Sequence, residues 1–295
     1  MQVHMQDIYD NQGQVKEPVA DVLSGHKHLL SLLPNLTLLN HHIQAQQDVT
    51  LEEEAQAGLY FSFLGTQAIR TVEDIQSVQI RYQASPISGH FEMAKGQQQS
   101  LLQIRISPNL LASVLGETED QIIQHFSSMQ KALSDNGMTI SLPMTTKTKQ
   151  IIAPVLAHNG HSISLAGHIY SVIFTLIEQL QMLSHLSRCE DCQSKLFHAQ
   201  NLIEAPEHDK ITVQKLATLT GLNTEALMIG FYLVVGQSIE SYCTQSKIKY
   251  AAARLRQDPT AKSHIVAESG FSEDQFEAAF IKHFGVSSHH YGQIH

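Results

Sequence analysis

Three side chains stand close enough along the chain to bind a soft metal or to exchange electrons. Cys189-Glu190-Asp191-Cys192 is a C-x-x-C pair, and His185 stands one helical turn before Cys189. No second pair with zinc-finger spacing follows, and the segment reads as continuous helix, so no metal site is assigned and the three remain candidates. His26-x-His28, His41-His42 and His158-x-x-His161 fit no metal motif. Glycine-rich phosphate loops, a G-x-S-x-G elbow and the kinase motifs are absent from the sequence. This points away from an enzyme. A second group could do electrostatic work: Lys247, Lys249, Arg254 and Arg256 share one helical segment and could line a phosphate backbone.

The elements that must position these groups are read from hydrophobic periodicity. Val78-Gln79-Ile80-Arg81-Tyr82-Gln83 and Leu102-Gln103-Ile104-Arg105-Ile106-Ser107 alternate strictly, the period of a strand with one buried face. Leu59 to Leu64 is a further strand, and turns such as Ser85-Pro86-Ile87-Ser88-Gly89 separate them, so residues ~30–107 suit a small antiparallel sandwich or barrel. At Ser107-Pro108 the period changes to helical, with Ser as cap and Pro at the first position, and a second helix follows Thr118. Ser134-Asp135-Asn136-Gly137 breaks that pattern. Two helices are expected over ~146–187, the longer carrying Leu165, Ile169, Val172, Leu176, Leu180 and Leu183 as one stripe. The stripe suits either a homodimer seam or packing on its own domain.

The expectation is therefore an α+β chain in three parts. Residues 1–137 form a β-rich domain, 138–198 a helical linker or dimerisation region, and 199–295 an all-α domain. With 295 residues and 42% hydrophobic content the chain can bury more than one core. The start, Met1-Gln2-Val3-His4-Met5-Gln6-Asp7, is not a secretory signal, and no apolar run approaches the ~20 residues that span a bilayer. Three cysteines fit a reducing compartment. A cytoplasmic protein without a membrane partner is expected. The net charge of −9 excludes a general nucleic-acid coat protein.

The last part contains one helical pattern written twice, at a constant offset of 49 residues. Leu216 pairs with Ile265, Gly221 with Gly270, Asn223 with Ser272, Leu227 with Phe276, Phe231 with Phe280, Gly236 with Gly285, Ser238 with Ser287, and Tyr242 with Tyr291. Each copy reads as a helix, a glycine that supplies the positive φ of a turn, an N-cap and a second helix. The face of that second helix opposite Leu227/Phe231 or Phe276/Phe280 is expected to be free, as in proteins that place it in the DNA major groove.

The run Leu216-Ala217, Gly221-Leu222-Asn223, Leu227, Phe231, Gly236, Ser238, Tyr242, Lys247, Ala251, Leu255, Gly270-Phe271-Ser272, Phe276, Phe280, Phe284-Gly285-Val286-Ser287 and Tyr291 resembles the signature of AraC/XylS-type transcription regulators over about 210–292. Gly221-Leu222-Asn223 ahead of Leu227 and Phe231 is most similar to the PchR-like branch, whose effectors are ferric siderophores. The resemblance implies double-stranded promoter DNA and a small-molecule effector, a siderophore by this branch, as partners. RNA polymerase joins them if the protein activates. It also implies that the β-rich domain, 1–137, is a cupin-like effector-binding domain; no cofactor beyond the effector is assigned. Onto this chain it places Thr224, Glu225 and Met228 of the first recognition helix, and Ser272, Glu273, Gln275 and Lys282 of the second, as DNA-binding residues. Lys247, Lys249, Arg254 and Arg256 join them at the backbone.

The chain departs from that family in the charge of both recognition helices. The first, Thr224 to Phe231, has no basic residue, and the second places Glu273, Asp274 and Glu277 ahead of Lys282. Residues 200–295 carry eight Lys or Arg, among them Lys210, against ten Asp or Glu. An alternative therefore stands beside the regulator: a regulator-like protein that has lost DNA binding and acts through protein contact. His208, His264, His283, His289, His290 and His295 add the expectation that mild acid strengthens DNA contact by charging this module.

Overall fold

The computed structural model describes residues 2–17, 19–134, 137–158, 162–205 and 211–294. Asp135 and Asn136 of the expected break, together with His161, His208, Lys210 and His295, lie outside the described residues. The chain is α+β and divides into two compact units, Met1–Ser184 and His185–His295. The division falls inside the segment expected to be a separate linker, because part of that segment joins the sheet of the first unit and part the helices of the second.

The first unit has nine strands among the described residues. They are β1 (Gln2–His4), β2 (Leu23–Leu33), β3 (Leu36–Ala45), β4 (Val49–Ala55), β5 (Gly58–Gly65), β6 (Ile75–Gln83), β7 (Ile87–Met93), β8 (Gln98–Ile106) and β9 (Ile140–Pro143). A three-stranded sheet runs β1-β4-β7 and a six-stranded sheet β2-β3-β8-β5-β6-β9. Neighbouring strands pair antiparallel, except β1 with β4. The β2–β3 hairpin turns at Pro34-Asn35, where Pro fixes one φ and Asn35 accepts a φ of 75°. Val3, Met5, Leu23, Ile43, Val49, Leu51 and Met93 form one buried cluster that joins residues of both sheets.

Four helices follow or interleave: α1 (Pro108–Leu115), α2 (Glu119–Leu133), α3 (Thr146–Leu156) and α4 (Ser162–Leu186). Ser107 caps α1 with Pro108 at its first position, and Thr118 and Gln121 close a capping box on α2. Gln130 of α2 accepts from the Tyr82 N–H at 2.6 Å and donates to its carbonyl at 3.2 Å, and Phe126 stacks on Tyr82. The helix is thereby tied to β6. All six residues of the α4 stripe are buried within the single chain, from Leu165 at 4% to Leu183 at 2%. That stripe is core, not an open dimer seam. Residues Ile163–Leu186 are also long and apolar enough to cross a membrane by length and composition, with half of the most apolar window buried.

The second unit has seven helices among the described residues: α5 (Glu190–Glu204), α6 (Val213–Thr220), α7 (Thr224–Val235), α8 (Ile239–Gln257), α9 (Lys262–Ser269), α10 (Glu273–Phe284) and α11 (Ser288–Ile294). The helix expected to run on through Cys189 stops at Leu186, and Cys189 is instead the N-cap of α5. Two buried clusters result. The first gathers Leu196, Ala199, Leu216, Leu227, Met228, Phe231 and Ile239, the second Ile248, Ala252, Leu255, Ile265, Phe276, Phe280 and Tyr291. Helix α8 contributes to both, through its first residue and its second half.

Candidate nucleic-acid interface and effector cavity

The sequence repeat is a repeat of geometry. Gly221 and Gly270 end α6 and α9 with φ of 69° and 73°, the left-handed conformation that costs glycine nothing. Two residues on, Asn223 accepts from the Ala226 N–H at 2.8 Å and Ser272 from the Gln275 N–H at 3.3 Å, capping α7 and α10. Helices α6 and α7 meet at 90°. The core contact repeats too: Tyr242 stands edge-on to Phe231 at 5.4 Å and 72°, and Tyr291 to Phe280 at 5.3 Å and 76°.

The two second helices differ in what they leave exposed. In α7 every residue from Ala226 to Phe231 is buried. Met228, placed by sequence among the DNA-contacting residues, is 8% exposed in the core cluster, and Ile229 is fully buried. A Cβ on Gly230 would lie 2.7 Å from a Leu196 methyl carbon and 3.2 Å from one of Leu186, so that side of α7 is closed by neighbouring leucines. The expected free face is therefore absent over the middle of α7, because its sequence is apolar around the whole turn. Thr224 and Glu225 at its start are half-buried. In α10 only Phe276 and Phe280 are buried, while Ser272, Glu273, Asp274, Gln275, Ala278, Ile281 and Lys282 are exposed. Glu277 is held back from that surface. Its carboxylate accepts from the Ser288 N–H at 2.9 Å and hydroxyl at 2.6 Å and pairs with Lys262.

Three of the four α8 cations are engaged within the unit. Lys247 donates to the Ser269 carbonyl at 3.1 Å and lies over the Phe271 ring; Arg254 pairs with Glu268; Arg256 donates to the Tyr291 hydroxyl and lies over its ring. They fasten α8 to α9 and α11. Lys249 is exposed. Replacing all four by Ala would thus disturb the fold as well as any phosphate contact.

The first unit holds a cavity that strand alternation alone did not reveal. It occupies about 200 Å³ and is lined by Leu39 and His41 of β3, Tyr60 and Ser62 of β5, Gln79 and Arg81 of β6, and Gln99, Leu101 and Gln103 of β8. Met5, Lys27, Glu53 and Phe91 complete much of the wall. Arg81 lies 5.3 Å from the Tyr60 ring centre and Gln103 donates to Ser62 at 2.9 Å. His41, hydrogen-bonded to the Tyr9 hydroxyl, is pushed down to about 4 by burial first and by Lys27, His26 and His42 second. Near neutral pH the lining charges are thus Lys27 and Arg81 against Glu53. The signal in the sequence was the polar half of each alternation, Gln79/Arg81 and Gln99/Gln103, which reads as solvent-facing until a second sheet is placed over it.

The structure also brings His185, Cys189 and Cys192 together: their donor atoms all lie within 4.8 Å of one another, and the two cysteines are disulfide-bonded.

No protein-family profile matches the chain, and no curated protein does. Among solved structures it is similar to ToxT from Vibrio cholerae, at 12% identity and a TM-score of 0.28 over 92% of this chain and 98% of that one. A ToxT structure bound to (E)-4-(8-methylnaphthalen-1-yl)but-3-enoic acid matches at 11% and 0.28, over 92% and 99%. A third, with an unsaturated fatty acid bound, matches at 11% and 0.27, over 86% and 94%. These likenesses leave function to be read from the chain's own geometry.

Proposed function

We propose that the protein is a non-enzymatic, ligand-responsive transcription regulator of the AraC/XylS type. Two helix-turn-helix units of the second unit bind promoter DNA, and a small molecule binds in a cupin-like first unit. The observation that carries the reading is the doubled turn, with glycine, cap and Phe–Tyr contact repeated at one offset and in one geometry. In this reading α10 enters the major groove, through Ser272, Glu273, Gln275 and Lys282, and α7 contributes only its start at Thr224 and Glu225. Lys249 and Lys282 meet phosphates. An effector with a carboxylate or comparable anionic group suits Lys27 and Arg81 together with the cavity amides, and the ferric siderophore of the PchR-like branch remains one such class. RNA polymerase is the further partner if the protein activates.

The test is fluorescence anisotropy of the full chain with its own promoter DNA and with a scrambled duplex, across a salt series. Sequence-dependent, salt-sensitive binding supports the regulator. No preference at any salt supports a second reading, action by protein contact alone, which the buried middle of α7 and the acids of α10 favour.

Two further results are expected from the same assay. Lys249→Ala with Lys282→Ala should reduce the slope of log affinity against log salt by about 0.9 for each phosphate no longer neutralised, with little change in melting temperature. An unchanged slope places the phosphate surface elsewhere. Glu273→Gln with Asp274→Asn should tighten binding at low salt severalfold by removing charges that oppose phosphates. The same change should slightly lower thermal stability, since both acids face the positive end of the α10 dipole. Weaker binding would instead mean that these acids read bases.

A further inference from the structure

Helix α4 ends at Leu186 and α5 begins at Glu190, and the three residues between them form a tight corner. The carbonyl of His185 accepts from the N–H groups of both Arg188 and Cys189, at 3.0 and 3.1 Å, and the Gln193 side chain donates to the Ser187 carbonyl at 2.8 Å. This fixes the backbone that carries His185 and Cys189. Cys189 caps α5, its sulfur accepting from the Cys192 N–H at 3.2 Å, and the Cys192 sulfur lies 3.8 Å from His185 Nε2. Both cysteines are half-buried, and His185 is exposed to solvent at the mouth of the cluster.

We infer that His185, Cys189 and Cys192 form a binding site for a thiophilic divalent cation of the zinc class, with three protein ligands and one open position. Two thiolates and an imidazole are the soft donor set such ions select over magnesium or calcium. In a tetrahedral site with metal–sulfur bonds of ~2.3 Å and metal–nitrogen bonds of ~2.0 Å, neighbouring donors stand roughly 3.5–3.8 Å apart. The His185–Cys192 separation already has that value, and a Cα–Cα distance of 5.2 Å between the cysteines lets side-chain rotation alone part the sulfurs to it. The N–H to sulfur bond at Cys189 remains in place and supports a thiolate there.

Uptake needs the dithiol. Two low-molecular-weight thiols give two electrons and two protons to the Cys189–Cys192 bond and leave as their own disulfide. The two cysteine thiols then release two protons to water as they bind the metal, which cancels their charge. The site lies entirely within the second unit, at the start of α5, and shares no residue with the proposed DNA contacts or the effector cavity.

The test uses the full chain under reductant, with thiol titration first establishing three free thiols, Cys243 being the third. Co2+ should then give the visible bands of a tetrahedral site with near-ultraviolet thiolate charge transfer, Zn2+ should bleach them, and bound Zn2+ should protect two of the three thiols. Cys189→Ser keeps an N-cap acceptor, so α5 should still form, while Zn2+ affinity falls by no less than about 100-fold, the upper cost of losing even an outer-shell group. Cys192→Ser and His185→Gln should do the same, and Cys243→Ser should not. A reduced chain that gives no charge-transfer band, or Cys189→Ser and Cys192→Ser chains that bind Zn2+ as the parent does, overturns the site.

Discussion

Phe280→Ala is expected to destabilise the second half of the helical unit by about 3–5 kcal/mol, the usual cost of removing a fully buried phenylalanine ring. The ring stands 5.6 Å from Phe276, 4.8 Å from Phe284 and 5.3 Å from Tyr291, so removing it leaves all of these rings facing a void. They sit on α10 and α11. Because the unit has two separate clusters, urea unfolding should show the second cluster melting at lower denaturant while the one around Phe231 persists. Promoter binding, if α10 carries it, should fail with that first transition. A destabilisation under about 1 kcal/mol would mean that the site collapses freely and that the aromatic cluster does not organise α10.

The second large effect is acid instability of the first unit, and it originates at His41. The residue is 3% exposed and held neutral in the fold down to about pH 4, whereas in an unfolded chain it takes a proton near 6.5. Above that value both states carry neutral imidazole and nothing is lost. As pH falls from 6.5 to about 4, unfolded chains gain a proton that the fold refuses, and stability drops by roughly 3 kcal/mol. Below about 4 the loss is complete. Burial lowers His26 and His42 as well, which adds in the same direction. Denaturation curves from pH 7.5 to 4.5 should show this slope, and His41→Gln, which keeps a partner for Tyr9, should flatten it. An equal slope in that variant would place the acid sensitivity elsewhere. The expectation that mild acid strengthens DNA contact must be tested only where the first unit stays folded.

The sequence was most informative where one residue type satisfies one local requirement. Positive φ at Gly221 and Gly270, caps at Asn223 and Ser272, and the Ser107-Pro108 helix start are local chemistry, and each stands where the spacing placed it. Strands β5, β6 and β8 followed from alternation for the same reason. The break between α4 and α5 was missed because Ser187-Arg188-Cys189 contains neither Gly nor Pro and helical periodicity runs on across it. The C-x-x-C pair and His185 were legible from spacing, and what the miss hid was that the pair stands at a helix start.

What the amino-acid order determined by itself was strands β5, β6 and β8, the starts of α1 and α2, the stripe of α4 and the doubling of the second unit, since turns, caps and apolar periods act over a few residues. Only the tertiary structure decided which faces are used. Alternation says that Gln79, Arg81, Gln99 and Gln103 share the polar faces of their strands, but the second sheet makes those faces the wall of a cavity. The repeat likewise leads one to expect a free face on α7 away from Leu227 and Phe231; the apolar Met228 and Ile229 on it were legible in the sequence, and the structure supplies the leucines beside Gly230 that close it. Lys247, Arg254 and Arg256 look like free cations in sequence, and their partners at Ser269, Glu268 and Tyr291 are 14 to 35 residues away along the chain. Burial and pairing depend on what the rest of the chain brings near, and no local pattern carries that information.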